Sequence, residues 1–128
     1  MENKIKTILV VEDDLDILEV IKIILEEKNF SVLTLNNSSE IFNKLKIVTP
    51  DLILLDIWMM GMDGLEITKK LKSSPITKQI PVVLLSAANE GEKKAKEVNA
   101  DDFLAKPFEI EDLIQKINKN LRRSYGKK

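Results

Sequence analysis

Glu12, Asp13 and Asp14 follow the apolar run from Ile8 to Val11, Asp56 follows Leu52 to Leu55, Ser86 follows Val82 to Leu85, and Lys106 with Pro107 follows a weaker run from Asp102 to Leu104. If these runs are parallel strands lying side by side, ligands bind beyond their carboxyl ends, and carboxylates, a hydroxyl and an ammonium converge on one rim. Two carboxylates ~4 Å apart repel by roughly 4 kcal/mol at an effective dielectric near 20, so such a rim needs compensation. A divalent cation supplies it. All-oxygen donors favour a hard ion, and a few carboxylates plus waters suit Mg²⁺ or Mn²⁺ better than a many-coordinate Ca²⁺ cage. One carboxylate, neutralised in this way, can act as a nucleophile toward phosphorus and form an acyl phosphate. Lys106 would then balance charge on the phosphoryl oxygens, and Ser86 would donate a hydrogen bond to one of them.

Each residue also has an ordinary structural role open to it. Asp14 fits a helix cap better than a ligand. Taken singly, Glu12 and Asp13 are solvated strand ends, Ser86 a turn residue and Lys106 a surface lysine. Their conjunction at separate strand ends is what points to a site.

Composition narrows the classes further. The chain has 128 residues, 44% hydrophobic and 32% charged, which is enough for one core and too little for two comfortable ones. Cysteine and histidine are both absent. Their absence excludes disulfide scaffolds, thiolate zinc sites, serine-triad hydrolysis and any phosphohistidine on this chain. The formal net charge of −1 argues against a general nucleic-acid binder, and no DNA binding is expected. Residues 115–128 carry six cations and no acid: Lys116, Lys119, Arg122, Arg123, Lys127 and Lys128. This run reads as a solvated helix end suited to the C-terminal dipole, with a docking or nucleic-acid patch as the alternative. No segment approaches the ~20 apolar residues of a membrane span, so a soluble, cytoplasmic protein is expected.

The elements that must position these residues alternate along the chain. Continuous apolar runs of four mark strands buried on both faces of a parallel sheet, with Ser31 to Leu35 and Asp102 to Leu104 as weaker strands. Between them Ile17, Val20, Ile21, Ile24 and Leu25 form one helical stripe, and Ile110, Leu113, Ile114, Ile117 and Leu121 another. Ile41, Phe42 and Leu45 predict a further helix, Leu65, Thr68, Lys69 and Leu71 a fourth, and Glu92 to Val98 a short fifth. Asp16 with Glu19 resembles a capping box, and Ser38 or Ser39 can cap the second helix. The alternation predicts an α/β fold: five strands in a doubly wound parallel sheet with five flanking helices.

The strings ILVVEDD, PDLILLDIWMMGMDG, VVLLSA and ADDFLAKPF, in that order, closely resemble the receiver domain of two-component response regulators, over about Ile5 to Leu121. The resemblance implies a chemotaxis-regulator-like, flavodoxin-like fold with strand order 2-1-3-4-5. The whole of 1–128 is expected to form one receiver domain, its core about 5–121, with a short basic tail. The resemblance further implies that Asp56 accepts a phosphoryl group from a phosphohistidine on a sensor histidine kinase or phosphotransfer protein. Glu12 and Asp13 match the acidic pair that holds Mg²⁺, with Asp56 and the main-chain carbonyl of Trp58 as further ligands. Ser86 matches the Ser/Thr switch position, Phe103 the aromatic rotamer switch, and Lys106 the phosphoryl-contacting lysine, whose bond to Pro107 is usually cis in the family. An ordinary core aromatic is the other reading of Phe103, and both can hold.

Departures from the family pattern are local. Met60 stands where proline is usual, with Gly61 and Gly64 keeping turn options open. The interval from Ser86 to Lys106 is about two residues short, which predicts a trimmed fourth helix or preceding loop. Asn99 replaces a common glycine and can adopt the left-handed conformation. Trp58 and Ala88 occupy positions that flank the path of attacking water in the family, which implies a long phosphate lifetime. The resemblance implies a signalling module rather than an enzyme, catalysing only its own phosphorylation and dephosphorylation. Its output would pass to a downstream protein, as a monomer or a phosphorylation-dependent dimer. Two rivals stand beside it: a Mg²⁺-dependent aspartyl-nucleophile phosphohydrolase, disfavoured because Trp58 stands where its second acid belongs, and a phosphorylation-independent interaction domain.

Overall fold

The computed structural model describes residues 4–58, 63–87 and 91–126. In chain order these form β1 (Thr7–Val11), α1 (Leu15–Glu27), β2 (Ser31–Leu35), a 3₁₀ turn (Ser38–Glu40) running into α2 (Ile41–Leu45), β3 (Leu52–Asp56), α3 (Gly64–Ser73), β4 (Val82–Ala87), α4 (Gly91–Glu97), β5 (Asp102–Lys106) and α5 (Ile110–Gly126). All strand pairs are parallel, in the order β2-β1-β3-β4-β5.

Continuous apolar runs occur because the central strands are covered on both faces, and the pleat divides them between two cores. Ile8, Val10, Leu52, Leu54, Val83 and Leu85 face α1 and α5, meeting Leu18, Ile21, Leu25, Leu113 and Ile117. Leu9, Val11, Ile53, Leu55, Val82 and Leu84 face the other way, onto Ile41, Ile67, Leu71 and Ala95.

Several boundaries differ from those read in the sequence. Asp14 caps α1, as its reading as a cap expects, and the alternative box of Asp16 with Glu19 does not form: the Asp14 side chain accepts from the amides of Asp16 at 3.0 Å and Ile17 at 3.1 Å. Asp16 already lies in the first turn, two residues past the cap. Asn37, not Ser38 or Ser39, caps the turn before α2, accepting from Ser39 N at 2.9 Å, while Ser38 is buried. Val20 faces solvent and Leu18 takes its place in the core, because α1 begins one residue after the cap and its buried face follows 18, 21 and 25. Ile110, at the first turn of α5, is likewise exposed. α4 begins and ends one residue earlier than the short helix read from Glu92 to Val98. Asn99 follows it in the left-handed region with φ 63°, a conformation asparagine tolerates well. Met60, Gly61 and Ala88 lie outside the described residues.

Candidate functional site

Strands β3, β4 and β5 run further than their apolar runs, so Asp56, Ser86 and Lys106 belong to the strands themselves. Asp56 is the last residue of β3 and pairs with Leu85; Ser86, one step further, pairs with Ala105, and Ala87 with Lys106. Ladder pairing holds these side chains on a rigid edge rather than on loops. Glu12 is the residue after β1, and its amide donates to Leu35 O of β2 at 3.0 Å. Gly64 opens α3 against this edge: a Cβ there would stand 2.5 Å from Asp56 O and 2.8 Å from Ile57 Cα, so only glycine permits the approach. Its role is thus close packing behind the acid rather than turn freedom.

The edge brings Glu12, Asp13 and Asp56 together, with one carboxylate oxygen of each lying within 4.8 Å of the others. Glu12 and Asp56 are buried, and Asp13 is the least buried of the three. Lys106 Nζ lies 3.0 Å from Glu12 Oε1 and 3.3 Å from Asp56 Oδ1. The second Glu12 oxygen accepts from the Asp14 amide at 3.2 Å. Ser86 is buried beside Asp56 on the adjacent strand.

Burial and charge both act on this edge. Burial, then repulsion from Glu12, push the Asp56 carboxyl up to about 6 from 3.8, although Lys106 pulls the other way. Burial works against the Lys106 ammonium, but its hydrogen bond to Glu12 and the charges of Asp56 and Glu12 outweigh that and hold it above the usual lysine value. An edge of this kind attracts a further cation and offers one carboxylate oxygen poised beside an ammonium.

The remaining sequence-predicted residues surround this centre. The Lys106–Pro107 peptide is cis. Trp58 follows Asp56 by two residues and is 58% exposed, and its indole ring lies under the ammonium of Lys94, 4.8 Å from Nζ to the ring centroid. Phe103 is half-buried against the second core. A Cβ built at Gly91 would meet its ring at 2.1 and 2.3 Å, so the ring sits directly on the first residue of α4.

Sequence reading missed three features here. Lys94 and Gly91 became visible only once α4 was placed over the strand edge; a lysine in GEKKAKE has no signal that separates it from its neighbours. Asp102 is the third. Its carboxylate accepts from Lys116 Nζ and Asn120 Nδ2, both at 2.9 Å, tying β5 to α5 beside Phe103. Burial alone would raise its pKa, but hydrogen bonds from Asn120, Lys116 and the Phe103 amide hold it below the usual carboxylate range. Helical spacing of Lys116 and Asn120 on one face of α5 was a usable signal.

Comparisons with known proteins agree with this geometry. The family model described as the response regulator receiver domain matches residues 8–118. The phosphate regulon transcriptional regulatory protein PhoB of Pseudomonas aeruginosa is 36% identical over 121 residues, covering 93% of this chain and 53% of that protein. The chain spans about half the length of the curated relatives it matches. Among solved structures, a putative response regulator from Chloroflexus aurantiacus superposes with a TM-score of 0.89 at 28% identity, covering 93% of this chain and 99% of that one. The signal receiver domain of a signal transduction histidine kinase from Syntrophus aciditrophicus gives 0.85 at 34% identity, covering 91% and 90%. With the strand order, the acidic strand edge and a family match over most of its length in agreement, the chain belongs to the receiver domains of two-component response regulators.

Proposed function

We propose that Asp56 is the phosphoacceptor of this receiver and that Glu12, Asp13, Asp56 and the main-chain carbonyl of Trp58 hold a divalent cation, Mg²⁺ or Mn²⁺. The observation that carries this reading is the placement of the Lys106 ammonium between Glu12 and Asp56, at 3.0 and 3.3 Å, with a carboxylate oxygen of Asp13 within 4.8 Å of one from each acid. The donor set fits: three carboxylates with oxygens within 4.8 Å of one another and no nitrogen or sulfur ligand among them. When bound, the cation neutralises the carboxylates and polarises the phosphoryl oxygens.

The chain's own residues supply the rest. An Asp56 carboxylate oxygen attacks phosphorus; the new P–O bond forms as the P–N bond to the donor imidazole breaks, and the departing nitrogen keeps the electron pair and is protonated. Lys106 leaves its balance with the carboxylates to face the added charge, and the Ser86 hydroxyl donates to a phosphoryl oxygen. An acyl phosphate carries roughly −1.5 to −2 charges where the carboxylate carried −1, and places them on three strong acceptor oxygens, enough to redraw both residues toward it.

The donor is read as a histidine kinase or phosphotransfer protein. A groove of about 490 Å³ flanks Lys106 and is lined by Ile17, Val20 and Ile21 of α1 with Pro107 and Phe108, giving such a protein an apolar seat beside the edge. The output is read as a change in the face formed by α4, β5 and α5, where Phe103 lies on Gly91. The described residues act as one receiver unit in this reading, core 5–121. Its downstream partner is taken to be a protein, with self-association on phosphorylation as one form of output. Among the described residues no helix is long and apolar enough to cross a membrane.

Incubation with acetyl phosphate and Mg²⁺ tests the assignment. Intact mass should rise by one phosphoryl unit, labile to hydroxylamine, and Asp56→Asn should abolish the gain. Full labelling of that variant would overturn the reading, and steady turnover of a phosphate ester by the parent chain would favour a phosphohydrolase instead.

A further inference from the structure

We propose that Lys94 is a positioning residue that sets the lifetime of the phosphoryl group by holding the Trp58 indole across the strand edge. The inference rests on the reading of Asp56 as phosphoacceptor and adds to it a residue on α4 that touches no reacting atom.

The backbone of Trp58 is fixed from below, because Ile57 is fully buried and its amide donates to Leu85 O of β4 at 2.9 Å. Its indole is not fixed by the core, being 58% exposed. What it meets is the ammonium of Lys94, 4.8 Å from the ring centroid. A lysine over an indole is held by the electron-rich ring face, an attraction an apolar side chain lacks. Lys94 in turn starts from a fixed place, since Ala95 beside it and Val98 one turn on are each 4% exposed and anchor α4 in the second core.

Topology makes this contact a strap. β3 and β4 are neighbours, and α4 follows β4 from the same edge. An indole leaving β3 and reaching α4 therefore crosses the end of β4, the side on which Ser86 awaits the phosphoryl group. Hydrolysis needs a water to attack phosphorus in line as the P–O bond to Asp56 breaks, the carboxylate leaving with the electron pair and the water losing a proton to solvent. A held indole denies that water room and orientation; an indole released from Lys94 swings and admits it.

The test uses the whole chain, phosphorylated with acetyl phosphate and Mg²⁺, then followed for decay by intact mass after donor removal. Lys94→Gln should speed decay about two- to fivefold, the ratio an exposed cation–π contact supplies. Lys94→Arg should restore the slow rate, and Lys94→Gln should add nothing to Trp58→Ala, because both remove one strap. A second readout needs no phosphorylation: acrylamide quenching of Trp58, the single tryptophan, should increase in Lys94→Gln and not in Lys94→Arg. Equal decay and equal quenching in Lys94→Gln and the parent would overturn the role of Lys94 while leaving Asp56 as phosphoacceptor. Failure of the parent chain to label at all would overturn the phosphoacceptor reading, and this role with it.

Discussion

Lys106 and Glu12 stand ninety-four residues apart in the chain, and their side chains meet at 3.0 Å across the ends of β5 and β1. β1 and β5 are not neighbours; β3 and β4 lie between them. The lysine therefore spans the sheet edge and passes Asp56, 3.3 Å from Nζ, on the way. It acts as the internal counter-ion of the site.

Removal of that counter-ion leaves two buried carboxylates facing each other. Lys106→Met should destabilise the metal-free protein by about 1–3 kcal/mol at neutral pH, measured by urea unfolding in EDTA, because an uncompensated buried charge costs more than the pair returned. The Lys106 pKa is raised in the folded state, so its contribution is full at neutral pH and is lost only as pH climbs past the usual lysine value. An unchanged urea midpoint would refute the counter-ion role.

Asp56 should oppose stability. Its carboxyl is pushed up to about 6 from 3.8, so between those values the folded chain holds a proton that the unfolded chain has released. Stability from this group falls as pH rises through that window, and the full penalty is present above it. In EDTA, Asp56→Asn should exceed the parent in stability by about 1–3 kcal/mol at neutral pH, the gap closing below pH ~4. A variant less stable than the parent at neutral pH would contradict the burial and repulsion argued for the site.

Mg²⁺ should raise the melting temperature of the parent by a few degrees at about ten times its dissociation constant, since the unfolded chain has no assembled site. Asp13→Ala should lose most of that gain while melting close to the parent in EDTA. Identical melting of the parent with chelator and with excess Mg²⁺ would remove the three carboxylates as a cation site.

Two glycines should respond differently to alanine. At Gly64 the added Cβ meets backbone, Asp56 O at 2.5 Å, so Gly64→Ala should cost about 2 kcal/mol or more and weaken Mg²⁺ binding with it. At Gly91 it meets the far end of the Phe103 ring, which can turn away. Gly91→Ala should therefore cost under about 1 kcal/mol and move the Phe103 ring outward, read by NMR contacts between that ring and α4. Beryllofluoride in the parent should shift amides at Ser86, Phe103 and along α5; shifts confined to residues around Asp56 would contradict a propagated switch.

Much of this was legible in the sequence where one rule dominated. Four-residue apolar runs marked β1, β3 and β4 because both faces of the sheet are covered, and the acids that end them marked the edge. Pairing carried β3, β4 and β5 past those runs, so Asp56, Ser86 and Lys106 sit in the ladder instead of after it. Caps were less legible, since Asp14 and Asp16 are both good N-caps by type and only the entry of the chain into α1 selects Asp14. Contacts made by α4 were not legible at all. Its stripe is too short to fix a face, so the seat of Phe103 on Gly91 and of Lys94 on Trp58 needed the packed helix.

The central claim is that one carboxylate of the acidic edge, and no other, takes the phosphoryl group. Reductive trapping of the acyl phosphate with borohydride, after acetyl phosphate and Mg²⁺, converts the modified aspartate to homoserine, which peptide sequencing locates. Homoserine at position 56 alone, and only when Mg²⁺ is present, is the predicted result. Homoserine at position 13 or 14, or none anywhere in a chain whose fold is intact, would contradict it.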